Sequence, residues 1–136
     1  MELLLTLLIY EVIKLIMPRA NRITLGGYVY HVLNRANGRL QIFRKNADFI
    51  AFENILAQAV ELYGMRICGY CIMSNHWHLL LWPVNDSDLS NFMKWLTLTH
   101  TQRYHTSHKT VGIGGSPYGE NEWKMMAVKK RNWNQQ

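Results

Sequence analysis

Residues 66–73, Arg-Ile-Cys-Gly-Tyr-Cys-Ile-Met, and residues 76–82, His-Trp-His-Leu-Leu-Leu-Trp, are two β-prone runs separated only by Ser74 and Asn75. So short a gap leaves no room for a crossover, so the runs must pair antiparallel. The first reads as a buried strand. The second stops at Pro83, which has no amide proton to give a ladder. Alternation along the second run sends Trp77, Leu79 and Leu81 to one face and His76 and His78, side by side, to the other.

The flanking sequence supplies the other layer. Residues 27–35 are β-branched and aromatic and read as a strand, Asn37-Gly38 as a turn, and Leu40-Gln41-Ile42-Phe43 as a short partner strand closing a hairpin. Asn46 or Asp48 is placed to cap a helix running to about Tyr63. Its stripe is Phe49, Phe52, Leu56, Val60 and Tyr63, and Gly64 is its stop. Asp86 or Ser87 is placed to cap a second helix with Leu89, Phe92, Met93 and Leu96 on one face. Tight turns and helices on one side predict an α+β fold: an antiparallel sheet with helices on one face, close to ferredoxin-like. Beyond residue 96 the chain turns polar, His-rich and basic (97–109), residues 112–119 read as a linker, and a last amphipathic piece follows Asn121.

The 136 residues suit one domain, and 49% hydrophobic against 18% charged excludes a disordered chain. Two cysteines are too few for a disulfide scaffold, and Cys68 and Cys71 read as ordinary buried thiols. No run reaches the about 18 apolar residues of a membrane span, so a cytoplasmic protein without membrane contact is expected. Residues 1–16 read as an upstream extension before a natural start at Met17. Without them the formal charge of +6 becomes 14 basic minus 7 acidic residues, +7, so the basic excess belongs to the domain. That excess favours a polyanionic partner. Arg35, Arg39, Arg44, Lys45, Lys94, Arg103 and Lys109 read as a phosphate track, with Trp95 or Tyr104 stacking on bases, or as a solvated basic surface. His100, His105 and His108 read as part of a polar, DNA-facing segment rather than as a metal cluster.

Neutral imidazoles at i and i+2 of a strand suit a first-row divalent ion, given a further ligand from elsewhere. An isolated His-x-His is more often a hydrogen-bonded pair. The surrounding block, Tyr70-Cys71-Ile72-Met73-Ser74-Asn75-His76-Trp77-His78-Leu79-Leu80-Leu81, closely resembles the HUH motif of the REP-associated tyrosine transposases, within the single-tyrosine HUH transposase superfamily. Tyr30-His31-Val32-Leu33-Asn34-Arg35, Asn37, Ile42-Phe43, Leu89-Ser90 and Thr101-Gln102-Arg103-Tyr104-His105 support the match, which covers roughly residues 17–114. Ser74 stands where the family has proline.

The resemblance implies a ferredoxin-like HUH fold in which His76 and His78 hold Mg²⁺ or Mn²⁺ against a phosphate of single-stranded or hairpin DNA. It also implies a tyrosine on a later helix that forms a 5′-phosphotyrosyl bond and leaves a 3′-OH. Arg35, Lys94, Arg103, Tyr104 and Lys109 are the candidate DNA contacts, and a homodimer is left open. After Val111-Gly112-Ile113-Gly114, however, the family's tyrosine block has no counterpart. Gly115-Ser116-Pro117-Tyr118-Gly119-Glu120-Asn121-Glu122-Trp123 instead resembles the tail of longer members, as an internal deletion would leave it. Tyr104 reads as packing or base stacking and Tyr118 as linker, so no catalytic tyrosine is carried over. The expected organisation is an extension (1–16), an HUH transposase-like domain (17–114) with its C-terminal part incomplete, and a tail (115–136). The expected function is a transposase-like DNA-binding domain defective in cleavage. The alternatives are a non-catalytic DNA-binding module and a non-functional remnant.

Overall fold

In a computed structural model, residues 8, 24–38, 40–108, 117–118 and 123–130 are described. The elements run β1 (Tyr28–Arg35), α1 (Asn46–Tyr63), β2 (Arg66–Met73), β3 (His76–Trp82), α2 (Asp88–Ser107) and β4 (Lys124–Lys130). The four strands form one sheet in the order β2-β3-β1-β4, every neighbouring pair antiparallel. This βαββαβ order with both helices on one face is the ferredoxin-like arrangement.

Local chemistry sets the element ends. The Asp48 carboxylate reaches back to accept the amides of Arg44 (2.9 Å) and Lys45 (3.2 Å), satisfying donors at the α1 N-terminus. Burial works against its charge. Those amides, with His108 and Lys45, outweigh it and hold the carboxyl below its usual range. Gly64 ends α1 at φ 57°, a left-handed position where a Cβ would be strained. Neither Asp86 nor Ser87 caps α2 with its side chain. Ser87 is left-handed at φ 68°, and Asp86 Oδ1 accepts the Gly26 amide at 2.8 Å. That bond and Gly27 N–H to Pro83 O (2.9 Å) tie the start of β1 to the end of β3. The approach is tight: a Cβ at Gly26 would lie 2.2 Å from Val84 O.

The core lies between the sheet and α1 and α2. Val32, Trp77, Leu79 and Leu81 from the sheet meet Phe52, Ile55, Leu89, Phe92, Met93 and Leu96 from the helices, all at 0% exposure. Each such side chain contributes about 1.5–3 kcal/mol of transfer free energy, which makes this layer the source of the fold.

Several expectations are corrected. Leu40–Phe43 is not a strand: both edges of β1 are taken, by β3 and β4, so no ladder is open to it. Ile42 and Phe43 instead bury their side chains, and the Phe43 amide donates to Ser74 O at 3.0 Å. The strand at 66–73 is an edge strand and largely exposed. Cys68 is the extra residue of a bulge on it, and Cys68 and Cys71 are exposed thiols, not buried ones. The segment after Asn121 supplies β4. Residues 97–107 continue α2, and His100 is core.

Candidate functional site

The β3 alternation holds. Trp77, Leu79 and Leu81 enter the core, while the rings of His76 and His78 lie 5.1 Å apart at 81° on the face away from the helices. Across the ladders, Arg35 stands opposite His76 and Leu33 opposite His78 on β1, and Met73 and Cys71 take the same places on β2. Met73, Cys71 and Leu80 are exposed, so no described helix closes this face.

Each ring is held at Nδ1. His76 Nδ1–H donates to Asn75 Oδ1 at 2.7 Å. An amide oxygen only accepts, so the lone pair of His76 sits on Nε2. His78 Nδ1 meets His31 Nε2, from the neighbouring strand β1, at 2.9 Å. The rings of His31 and His78 are parallel within 3° with centroids 5.1 Å apart. That separation matches the N···N contact plus two ring radii, so they lie edge to edge in one plane rather than stacked. Burial holds all three imidazoles below their usual range. At His78, where His31, His76 and Arg35 add to it, the pKa falls to about 4. Burial thus favours the uncharged form of the pair at neutral pH, the form that a metal ion would need.

The five candidate DNA contacts separate. Arg35 is exposed on the histidine face and acts electrostatically on both His76 and His78. Lys94, Arg103 and Tyr104 lie on α2, on the other side of the sheet. Arg103 donates to Gln58 Oε1 at 3.0 Å, and Tyr104 packs on His108 with ring centroids 4.2 Å apart. Lys109 and Arg39 lie outside the described residues.

Tyr118 corrects the reading of 112–119 as linker at that position. It is 4% exposed, and its hydroxyl accepts Trp77 Nε1–H at 3.0 Å. The hydroxyl proton therefore goes to its second partner, His100 Nδ1. Burial pushes the phenol far above its usual range, although the Trp77 bond works the other way. Burial likewise lowers His100 to about 4. His100 is a neutral core acceptor with its proton on Nε2, not a DNA-facing group.

The six described tyrosines all turn away from the histidine face. Tyr28 and Tyr30 follow the core parity of β1 and Tyr63 packs on Phe92. Tyr70 donates to Glu53 on α1, and Tyr104 and Tyr118 pack around His100. Among the described residues no group of three or more His, Cys, Asp or Glu side chains is arranged to hold a metal ion. No described helix is long and apolar enough to cross a membrane.

His31 escaped sequence reasoning as a site residue. The signal was present: His31, Leu33 and Arg35 alternate onto one face of β1, but only the β1–β3 register places that face beside the histidine pair.

Comparison with known proteins agrees with this architecture. A candidate transposase from Deinococcus radiodurans R1, solved at 1.90 Å, superposes with a TM-score of 0.62 at 16% identity, over 84% of this chain and 85% of the other. A REP-associated tyrosine transposase bound to a REP hairpin superposes with a TM-score of 0.56 at 15% identity, over 87% of this chain. The chain spans 65% of the length of that second protein. No curated protein matches by sequence. The family described as "Transposase IS200 like" matches residues 24–125, a span that takes in β1, both helices, the histidine hairpin and the start of β4. The chain belongs to the IS200-like transposase family.

Proposed function

We propose that the open sheet face is a divalent-metal and DNA site of the transposase type, with His76 and His78 as metal ligands and Arg35 as the adjacent phosphate contact. The observation that carries this reading is the pair of neutral imidazoles, the Nδ1 of each already held within the protein, next to an exposed guanidinium. Two imidazoles suit Mn²⁺ better than Mg²⁺, which prefers oxygen ligands, and they make an incomplete site that leaves positions for water and phosphate oxygens. When bound, such an ion supplies Lewis-acid polarisation of a phosphoryl oxygen. The chain's own share is to orient two ring nitrogens, to place a bidentate cation beside them, and to leave the face open to an extended strand.

The DNA is single-stranded or hairpin DNA. The +7 charge outside residues 1–16 and the hairpin bound by one structural relative support it. Lys94, Arg103 and Tyr104 on α2 are a second set of DNA contacts, with Lys109 following them in the sequence.

A second reading concerns cleavage. The tyrosines of the described residues all face away from the histidines, and no tyrosine block follows Gly114. In-line attack needs the nucleophile about 3–3.5 Å from phosphorus. We therefore read the chain as binding DNA without forming a phosphotyrosine, as an internal deletion after residue 114 would leave it. Incubation with Mn²⁺ and a labelled strand carrying a foldback hairpin tests this. A shifted native complex with no labelled protein in a denaturing gel is expected. A covalent band lost in Tyr104→Phe or Tyr118→Phe would overturn it.

A further inference from the structure

We propose that His31 is a positioning residue that fixes His78 in the tautomer with its proton on Nδ1 and its lone pair on Nε2. This rests on His78 being a metal ligand, and goes beyond it by naming what makes it one.

His31 sits on β1, one of the two strands paired on both edges, and is 5% exposed. Its ladder partner is Leu80, one same-face step along β3 from His78. Its Nε2 lies 2.9 Å from His78 Nδ1, and the two rings share a plane. One proton joins two neutral imidazoles in such a contact, and either ring can hold it. If His31 holds it, His78 carries its own proton on Nε2 and cannot ligate. If His78 holds it, Nε2 is bare and points away from His31. Asn75 sets His76 in the same way, with its Nε2 bare. The site thus has a matched pair of outer partners, one a turn amide and one a buried imidazole, and such partners orient the ring and fix its tautomer.

The test uses the full chain and Mn²⁺ alone as probe. Calorimetry is run on wild type, His31→Leu, His31→Gln and the His76→Ala, His78→Ala double variant, with circular dichroism confirming the fold. Leucine fills the space without an acceptor, and glutamine restores one. His31→Leu is expected to bind Mn²⁺ about 10–100-fold more weakly, and His31→Gln to recover part of that loss. If His31→Leu binds as wild type while the double variant does not bind, this inference falls and the metal reading stands. If the double variant also binds as wild type, both fall. A readout independent of variant folding is the histidine ¹⁵N–¹H correlation pattern of wild type with Mg²⁺. His78 protonated at Nδ1 supports the assignment, and His78 protonated at Nε2 overturns it.

Discussion

Trp77 and His76 are chain neighbours on β3, yet the Trp77 indole donates to Tyr118 at 3.0 Å inside the core while the His76 imidazole lies on the opposite, open face. The sheet thickness therefore separates Tyr118 from the histidine pair. The residue that the sequence leaves among glycines is a structural strut.

Tyr118→Phe removes a hydroxyl that both accepts from Trp77 and donates to His100. Leaving two buried polar atoms without that partner is expected to lower stability by about 1–3 kcal/mol. Urea unfolding of wild type and variant measures it, and an unchanged midpoint would show that the triad contributes nothing.

Acid should weaken the fold through His100. Its folded pKa of about 4 lies below the 6.5 of an unfolded histidine. Unfolding then takes up a proton at intermediate pH, so its contribution is complete above about pH 6.5 and is lost progressively down to about pH 4. Metal-free chain is expected to lose thermal stability across that window. A His100 ring that titrates in the native state near 6.5, followed by NMR, would contradict the buried neutral acceptor.

How much of this was legible depended on range. The hairpin of residues 66–82 and the opposed faces of Trp77 and His76 follow from a two-residue period, so the sequence displays them directly. Both helices were visible in their apolar stripes. Leu40–Phe43 misled because its composition suits a strand, and only the pairing of β1 with residues 124–130 removes the edge it needs. The fourth strand was hidden by its lysines, and Tyr118 by its glycine neighbours. In both cases the deciding partner lies some 40 or more residues away along the chain. His31 belongs to the same class, since 47 residues separate it from His78.

DNA binding should be strongly salt-dependent. If about four phosphates of a single strand are contacted, log K against log salt slopes near −3. Arg35→Ala is expected to reduce that slope by about 1 and to weaken binding across sequences, because Arg35 stands on the histidine face opposite His76. Lys94→Ala, on the far side of the sheet, is expected to change it less. Filter binding over a salt series measures both, and equal effects of the two substitutions would argue against the histidine face as the main track.

The central claim is that His76 and His78 present their Nε2 atoms together to a divalent ion. Isothermal titration of Mn²⁺ into wild type and into the His76→Ala, His78→Ala variant tests it most directly. The account predicts weak saturable binding to wild type and none to the double variant. Equal affinity in the two proteins would contradict it.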